Sequence, residues 1–145
     1  MVASRYLLIG CLLILAIASF TWLSPLSSSP PASATVVTHI VLFQFQKTAS
    51  AESIKDVLTR LAALKDQCIH PSTQKPYILS LKGGTDNSPE RLQGGMTHAF
   101  IMEFANTEDR DYYVQKDPIH LGFIKVAGEV LEKTQIVDFI DGVFV

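Results

Sequence analysis

The sequence predicts an α+β domain whose elements follow the order β-α-β-β-α-β. Two observations predict this class. Apolar residues recur at every second position in some segments and at helical spacing in the segments between them. Residues typical of caps and turns, such as Ser50, Pro71 and the Gly94-Gly95 pair, separate these segments.

Charged residues divide the chain into two unlike parts. The 145 residues include 12 Lys and Arg and 14 Asp and Glu, yet residues 1–34 contain only Arg5. The other 111 residues carry 11 positive and 14 negative charges, a fraction usual for a soluble domain. This distribution excludes a repeat protein, a disordered tail and a multi-pass membrane protein. The net charge of −3 in that part also argues against a protein that binds nucleic acid.

Residues 1–23 are predicted to be a membrane signal. The uncharged run Tyr6–Leu23 follows Arg5, and no basic residue occurs between this run and Lys47. The positive-inside rule then places the N-terminus in the cytosol and the domain across the membrane. Two alternatives remain open, namely a membrane anchor and a signal peptide cleaved near the small residues Ala16-Ile17-Ala18. Both predict entry into the secretory pathway, either as a single-pass membrane protein with an extracytosolic domain or as a secreted protein.

A linker and a single domain are predicted after this signal. Residues 24–34 are rich in Pro, Ser and Ala, which is typical of an extended linker without a core of its own. Residues 35–145 form the domain. Because Cys11 lies in the apolar run, the domain contains only Cys68, which excludes an internal disulfide. Cys68 is expected to be a small buried apolar residue.

The domain begins with a strand and a helix. Val36–Phe45 is rich in β-branched and aromatic residues, which predicts a strand. Successive side chains point to opposite faces, and both faces carry apolar residues, so we expect both faces to be covered. Ser50 can cap a helix that has the acidic Glu52 in its first turn. Apolar residues at helical spacing extend this helix to about Cys68, and His70-Pro71 ends it.

Three further strands and a broken helix are predicted in the rest of the domain. The strands, each with alternating apolar residues, are Tyr77–Leu81, Thr97–Phe104 and Gln135–Phe144. Lys82–Gly95 contains Gly, Asn and Pro and is predicted to be a loop. A short helix begins at Asn106 and runs through Tyr113. A second helix has Asp117 as its cap and Pro118 in its first turn and extends through Leu131.

This order is that of a ferredoxin-like fold, in which helices cover one face of an antiparallel sheet. The opposite face would then expose apolar side chains such as those of Ile40 and Leu42. Because a large apolar face is normally buried, we expect a homodimer whose subunits meet through their sheets, which is a dimeric α/β barrel.

Several segments, in this order, resemble the stress-responsive dimeric A/B barrel (Dabb) family. They are VTHIVLFQF, the apolar stripe of the first helix, GMTHAFIMEF after a Gly-rich loop, DYYVQKDPIHLGF, and QIVDF. The resemblance covers Val36–Phe144 and implies the same fold and dimer. Some members of this family are polyketide cyclases. They close a linear poly-β-keto substrate by an intramolecular aldol step without a metal or another cofactor, so the resemblance implies no cofactor here.

The resemblance also implies a catalytic pair. The catalytic His of those cyclases stands in a Pro-x-His-x-Gly-Phe run, which is Pro118–Phe123 here and makes His120 its counterpart. Its Tyr partner lies six residues upstream in the family. In this chain Val114 occupies that position and Tyr113 lies one residue further upstream, so the assignment needs one inserted residue. Tyr113 is taken as the partner, with Tyr112 as the alternative.

Three more residues are expected to contact the substrate, namely His39 and His98, which match strand histidines of the family, and Phe123. An aldol closure needs a base to remove a proton between two carbonyls and a donor for the developing oxyanion, and His and Tyr side chains suit these tasks. No close His or Cys spacing predicts a zinc site. Glu103 and Asp138 are isolated acids that are expected at a sheet edge or a dimer contact.

Two functions therefore remain open. The first is a cofactor-independent enzyme that acts on an apolar small molecule by aldol cyclisation or a related proton transfer. The second is a non-catalytic dimeric domain that is associated with stress or binds a small molecule. A cavity shared by His120 and Tyr113 would favour the enzyme, whereas a His120 side chain in solvent would argue against it.

Overall fold

The computed structural model describes residues 35–145, which form a four-stranded antiparallel sheet and three helices. The elements are, in chain order, β1 (Val37–Phe45), α1 (Ala51–Gln67), β2 (Ile78–Thr85), β3 (His98–Phe104), α2 (Thr107–Gln115), α3 (Pro118–Gly128) and β4 (Leu131–Ile140). The strand order in the sheet is β2-β3-β1-β4, so the predicted ferredoxin-like arrangement is confirmed. The predicted membrane signal and linker lie outside the described residues. None of the helices in residues 35–145 has the length and hydrophobicity needed to cross a membrane.

The two faces of the sheet differ in burial. Residues of β1 alternate strictly, and Val37, His39, Val41, Phe43 and Phe45 are buried together with residues of the helices in one core. The intervening residues of β1 form the other face, where their side chains are only partly buried within one chain. The helices therefore cover one face of the sheet, as predicted.

Helix α1 is the longest of the three helices in residues 35–145 and packs one apolar stripe into this core. Its cap is the predicted one, because the Ser50 hydroxyl accepts a hydrogen bond from the Ser53 backbone N–H at 3.0 Å. Val57, Leu61 and Leu64 are its buried residues, at the spacing that one helix face requires. The helix ends at Gln67, one residue before the predicted end, because the next residue has extended backbone.

Strand β2 is longer than predicted. The loop prediction for its second half was wrong, because Lys82, Gly83, Gly84 and Thr85 pair with β3. Gly83 lies opposite Phe100, and a Cβ atom at this glycine would be 2.2 Å from a carbon of the Phe100 ring. The glycine thus makes room for the aromatic ring in the core instead of ending the strand.

The bounds of the last helix and strand also differ from the prediction. Helix α3 ends at Gly128, where a tight turn brings the Val130 N–H to the Ala127 carbonyl at 3.1 Å, and Leu131 already belongs to β4. Strand β4 ends at Ile140, because a turn with Gly142 at a φ of +75° follows it. Residues 132–135 of β4 are all polar, so hydrophobic alternation could not identify the start of this strand.

Candidate active site

A cavity of about 350 Å³ lies between the covered face of the sheet and the helices. Its apolar wall includes Val41, Phe43, Leu61, Met102, Ile124 and Ala127. Four of the five predicted site residues also line it, namely His39, Tyr113, His120 and Phe123. A cavity of this size, mostly apolar and with a few polar groups, is typical of a site for a small molecule.

His120 is fixed by the start of helix α3. Pro118 occupies the first turn, and the Asp117 side chain caps the helix by accepting hydrogen bonds from the backbone N–H groups of Ile119 at 2.8 Å and His120 at 3.1 Å. The predicted cap is confirmed. The His120 side chain is only 8% exposed, and Nδ1 of its ring lies 2.8 Å from the Tyr113 backbone carbonyl.

This hydrogen bond determines the tautomer of His120. A carbonyl oxygen only accepts, so Nδ1 carries the proton and donates it, which leaves the lone pair of the neutral ring on Nε2. Burial lowers the pKa of His120 to about 4, because the charged ring loses its hydration inside the protein. The ring is therefore neutral at pH 7, with Nε2 able to accept a proton.

Tyr113 lies on helix α2, and its ring stacks on His120 with 3.8 Å between the ring centroids. Burial raises the pKa of Tyr113, so its hydroxyl is a hydrogen-bond donor at neutral pH. Within residues 35–145, neither this hydroxyl nor Nε2 of His120 has a hydrogen-bond partner, yet no fully buried side-chain N or O atom there is left unpaired. The two atoms are therefore not fully enclosed by protein, and both residues line the cavity.

His39 approaches Tyr113 from the other side and has a carboxylate partner. It lies on β1 directly opposite Asp138 of β4, and its Nδ1 is 2.6 Å from Asp138 Oδ1. The second oxygen of Asp138 accepts a hydrogen bond from Arg110 Nη1 of helix α2. Asp138 is thus on an edge strand, as expected, but its side chain belongs to the histidine site.

His98 is not brought to the cavity. Its ring lies at the other end of the buried sheet face, where Nδ1 is 2.9 Å from Thr97 Oγ1 and the ring packs edge-on against Phe45. Partial burial lowers the pKa of His98. Glu103, by contrast, lies on the uncovered face and accepts a hydrogen bond from Ser80 Oγ at 2.5 Å. Among residues 35–145, no group of three or more His, Cys, Asp or Glu side chains is placed to hold a metal ion.

A buried polar group supports His120 from behind the cavity. The Tyr77 hydroxyl donates a hydrogen bond of 2.6 Å to the second oxygen of Asp117, whose side chain is almost completely buried. Burial, together with this carboxylate, raises the pKa of Tyr77. Cys68 is also fully buried next to Asp117, as the sequence predicted for this cysteine, and its thiol pKa is raised to about 12.

Sequence analysis did not assign Tyr77, Arg110 or Asp138 to the site. Only Asp138 had a signal that could have identified it. In an antiparallel pair with β1, register places one residue of QIVDF opposite His39, and Asp138 is the acid of this segment, which can accept a hydrogen bond from an imidazole. The other two residues depend on contacts between helices and strands that no local pattern records.

An antiparallel sheet of order β2-β3-β1-β4 covered by helices on one face, with a cavity between them, defines a ferredoxin-like α+β domain. The family model for the stress responsive A/B barrel domain matches residues 37–141, so the chain belongs to this family.

Solved structures share this fold. A protein of Arabidopsis thaliana has 27% identity over 75% of this chain and 98% of its own, with a TM-score of 0.63. The hydroxynitrile lyase of Passiflora edulis has 24% identity over 77% of this chain and 99% of its own, with a TM-score of 0.62. A dimeric ferredoxin-like protein of unknown function from Thermobifida fusca has 20% identity over 74% of this chain and 92% of its own, with a TM-score of 0.58. No match was found among curated proteins.

Proposed function

We propose that this Dabb protein is a cofactor-independent acid–base enzyme for a small, largely apolar carbonyl compound. The leading reaction is the intramolecular aldol closure of a poly-β-keto substrate. One observation carries the proposal, namely that Tyr113 and a neutral His120, whose lone pair is on Nε2, stack on each other and line the same cavity of about 350 Å³. A base and a donor on one substrate space are what this reaction requires.

The two side chains divide the reaction between them. His120 Nε2 removes a proton from the carbon between two carbonyls, and the resulting enolate attacks a third carbonyl carbon to form the new carbon–carbon bond. Tyr113 donates a hydrogen bond to the oxygen on which charge develops, and that oxygen finally receives the proton held by His120. Because burial lowers the pKa of His120 to about 4, the negative enolate beside the ring must stabilise its protonated form during the reaction.

The mostly apolar wall of the cavity assists this chemistry. It excludes water from the enolate and holds a folded chain close to the conformation that reacts. The hydroxynitrile lyase of Passiflora edulis shares the fold, which supports the proposal that this fold can host catalysis.

Product analysis tests the proposal. The full-length protein, His120→Ala and Tyr113→Phe are incubated with a linear tetra-β-keto thioester, and cyclised products are separated from those of the spontaneous reaction. We expect a rate loss of roughly 100-fold or more for His120→Ala, the range for a general base. His70→Ala is the matched control, because this histidine lies outside the lining of the cavity. Enzyme-dependent product that is unchanged in His120→Ala would refute the catalytic role.

The predominance of apolar wall residues also favours a second candidate, a non-catalytic domain that binds a small molecule. The same incubation distinguishes the two functions. Saturable binding of the thioester without any acceleration of cyclisation in the wild-type protein would support the binding domain.

We further propose that the protein is a homodimer that buries the uncovered face of the sheet. Ile101, Ile40 and Val137 lie side by side across three strands of this face, and Ile101 and Val137 are 42% and 49% exposed in the single chain. Such a continuous apolar row supports a face-to-face contact. Light scattering on the full-length protein in detergent is expected to give the mass of two chains, and a monomer at micromolar concentration would contradict the proposal.

For residues 1–34 we propose the secretory-pathway role that the sequence predicts. Its support is the uncharged run Tyr6–Leu23 behind Arg5. Expression with microsomes followed by protease digestion tests it, because protection of the domain is expected and digestion would contradict it. The mass of the protected chain then distinguishes a retained anchor from a cleaved signal peptide.

A further inference from the structure

Arg110 connects helix α2 to the far side of the cavity. It lies three residues before Tyr113 on this helix, and its Nη1 donates a hydrogen bond to Asp138 while its Nε donates one of 2.8 Å to Asp111. The other oxygen of Asp138 binds Nδ1 of His39 at 2.6 Å. A continuous series of hydrogen bonds therefore runs from Arg110 through Asp138 to a ring that lines the cavity.

This series determines which nitrogen of His39 carries the proton. A carboxylate paired with a guanidinium is ionised and can only accept hydrogen bonds. His39 Nδ1 must then be the donor, so the lone pair of the neutral ring is on Nε2. Nε2 has no hydrogen-bond partner in residues 35–145, although His39 is only 2% exposed and no fully buried polar side-chain atom there is unpaired. It therefore borders the cavity that His39 lines, and in the neutral ring it is a hydrogen-bond acceptor.

The polar side chains of the cavity then offer a specific set of hydrogen-bond donors and acceptors to a ligand. In their neutral rings Nε2 of His39 and Nε2 of His120 both accept, and Tyr113, whose ring contacts both imidazoles, has a hydroxyl that can donate. His39 meets the Tyr113 ring edge-on at 5.9 Å, whereas His120 stacks on it. His120 Nε2 is used by the proposed base, which leaves the His39 acceptor to be satisfied by the ligand. A ligand without a donor at that point would leave a buried acceptor unpaired, which lowers affinity.

We propose that Arg110 is a positioning residue that holds His39 as a hydrogen-bond acceptor through Asp138. We infer from this that the cavity selects ligands with an enol or phenol O–H directed at His39. The ligand class rests on the proposed function, because β-dicarbonyl compounds form enols, and aldol closure of a poly-β-keto chain gives phenols after loss of water and tautomerisation. The role of Arg110 does not depend on catalysis.

The first test measures the tautomer. The protein has four histidines, so ¹⁵N labelling of histidine in the full-length chain gives few signals, which single His→Asn variants assign. In the wild type we expect His39 with its proton on Nδ1. In Arg110→Met we expect a mixture of tautomers, and in Arg110→Lys the wild-type form. Arg60→Met is the matched control, because Arg60 pairs only with Asp56 on the exposed side of α1.

The second test measures ligand selection with two probes of similar shape, orcinol and orcinol dimethyl ether. The wild type and Arg60→Met are expected to bind orcinol about tenfold or more tightly than the ether, the ratio that one buried hydrogen bond accounts for. Arg110→Met is expected to lose most of this preference, and Arg110→Lys to keep it.

The outcomes separate this inference from the proposed function. A wild-type His39 ring with its proton on Nε2 would overturn the inference by itself, even if Arg110→Met failed to fold. Equal binding of the two probes by the wild type, or an unchanged tautomer and preference in folded Arg110→Met, would also overturn it. Absence of cyclisation by the wild type would refute the proposed reaction but leave the tautomer measurement unaffected.

Discussion

The acid stability of the protein is expected to depend on His120. In an unfolded chain the ring has the ordinary histidine pKa of about 6.5, whereas burial lowers the pKa of His120 to about 4 in the folded protein. Between these values the unfolded state binds a proton at this ring and the folded state does not. The free energy of unfolding therefore decreases as the pH falls from about 6.5 to about 4, and no further contribution from this ring appears below that window.

The size of this effect follows from the two pKa values. A difference of roughly 2.5 pKa units, at 1.36 kcal/mol each, corresponds to about 3 kcal/mol. His120 is almost entirely buried, so solvent screening reduces this little. Replacing His120 by Gln removes the titrating group and leaves a side-chain amide that can donate to the Tyr113 carbonyl. Between pH 6.5 and 4, the free energy of unfolding of His120→Gln should then decrease by about 3 kcal/mol less than that of the wild type.

Urea unfolding of both proteins at intervals across this range measures the difference directly. Partial burial also lowers the pKa of His98, so this residue contributes to the pH dependence of stability too. Its contribution is the same in both proteins and cancels in the comparison. His70→Gln controls for the loss of a histidine in general. Parallel curves for the wild type and His120→Gln would refute the conclusion that His120 is buried in its neutral form.

Three further predictions concern other parts of the structure. Tyr113→Phe keeps the stacked ring but removes the donor, so thermal melting should shift little while the cyclisation rate falls roughly 10-fold to 100-fold. Gly83→Ala places a methyl group against the Phe100 ring and should cost about 1–3 kcal/mol in urea unfolding, and an unchanged midpoint would contradict the packing described for β2. Ile101→Glu places a charge in the apolar row and should convert the proposed dimer to a monomer in light scattering, and a retained dimer would locate the interface elsewhere.

Local signals account for most of the fold. Ser50 and Asp117 cap helices where their side chains can accept from the following N–H groups, and the β-branched and aromatic residues of Val37–Phe45 identify β1 as a strand. Both faces of β1 are apolar in sequence, so the face that the helices cover was not predictable from this strand alone. The extension of β2 was not predictable in this way. Its glycines resemble a turn in the sequence, and only the Phe100 ring of the neighbouring strand explains why Gly83 lies within the sheet.

The candidate site was predictable only in part. It depends on which face of the sheet a side chain lies on, and also on which residues of neighbouring strands pair with each other. His39 and His98 do share one face of the sheet, but β1 pairs His39 with Met102 and Phe43 with His98. The two histidines are thus four residues apart along the strands, roughly 13 Å at the usual rise per residue. Strand pairing therefore separates two histidines that share a face. It also brings together residues far apart in sequence, because β1 and β4 pair so that Asp138 lies directly opposite His39.

The initial rate of cyclisation of a linear tetra-β-keto thioester, measured for the full-length wild type and for His120→Ala, tests the central claim most directly. We expect the wild type to accelerate cyclisation over the spontaneous reaction, and a folded His120→Ala protein to lose roughly 100-fold or more of that acceleration. An equal acceleration by the two proteins, or none by the wild type, would contradict it.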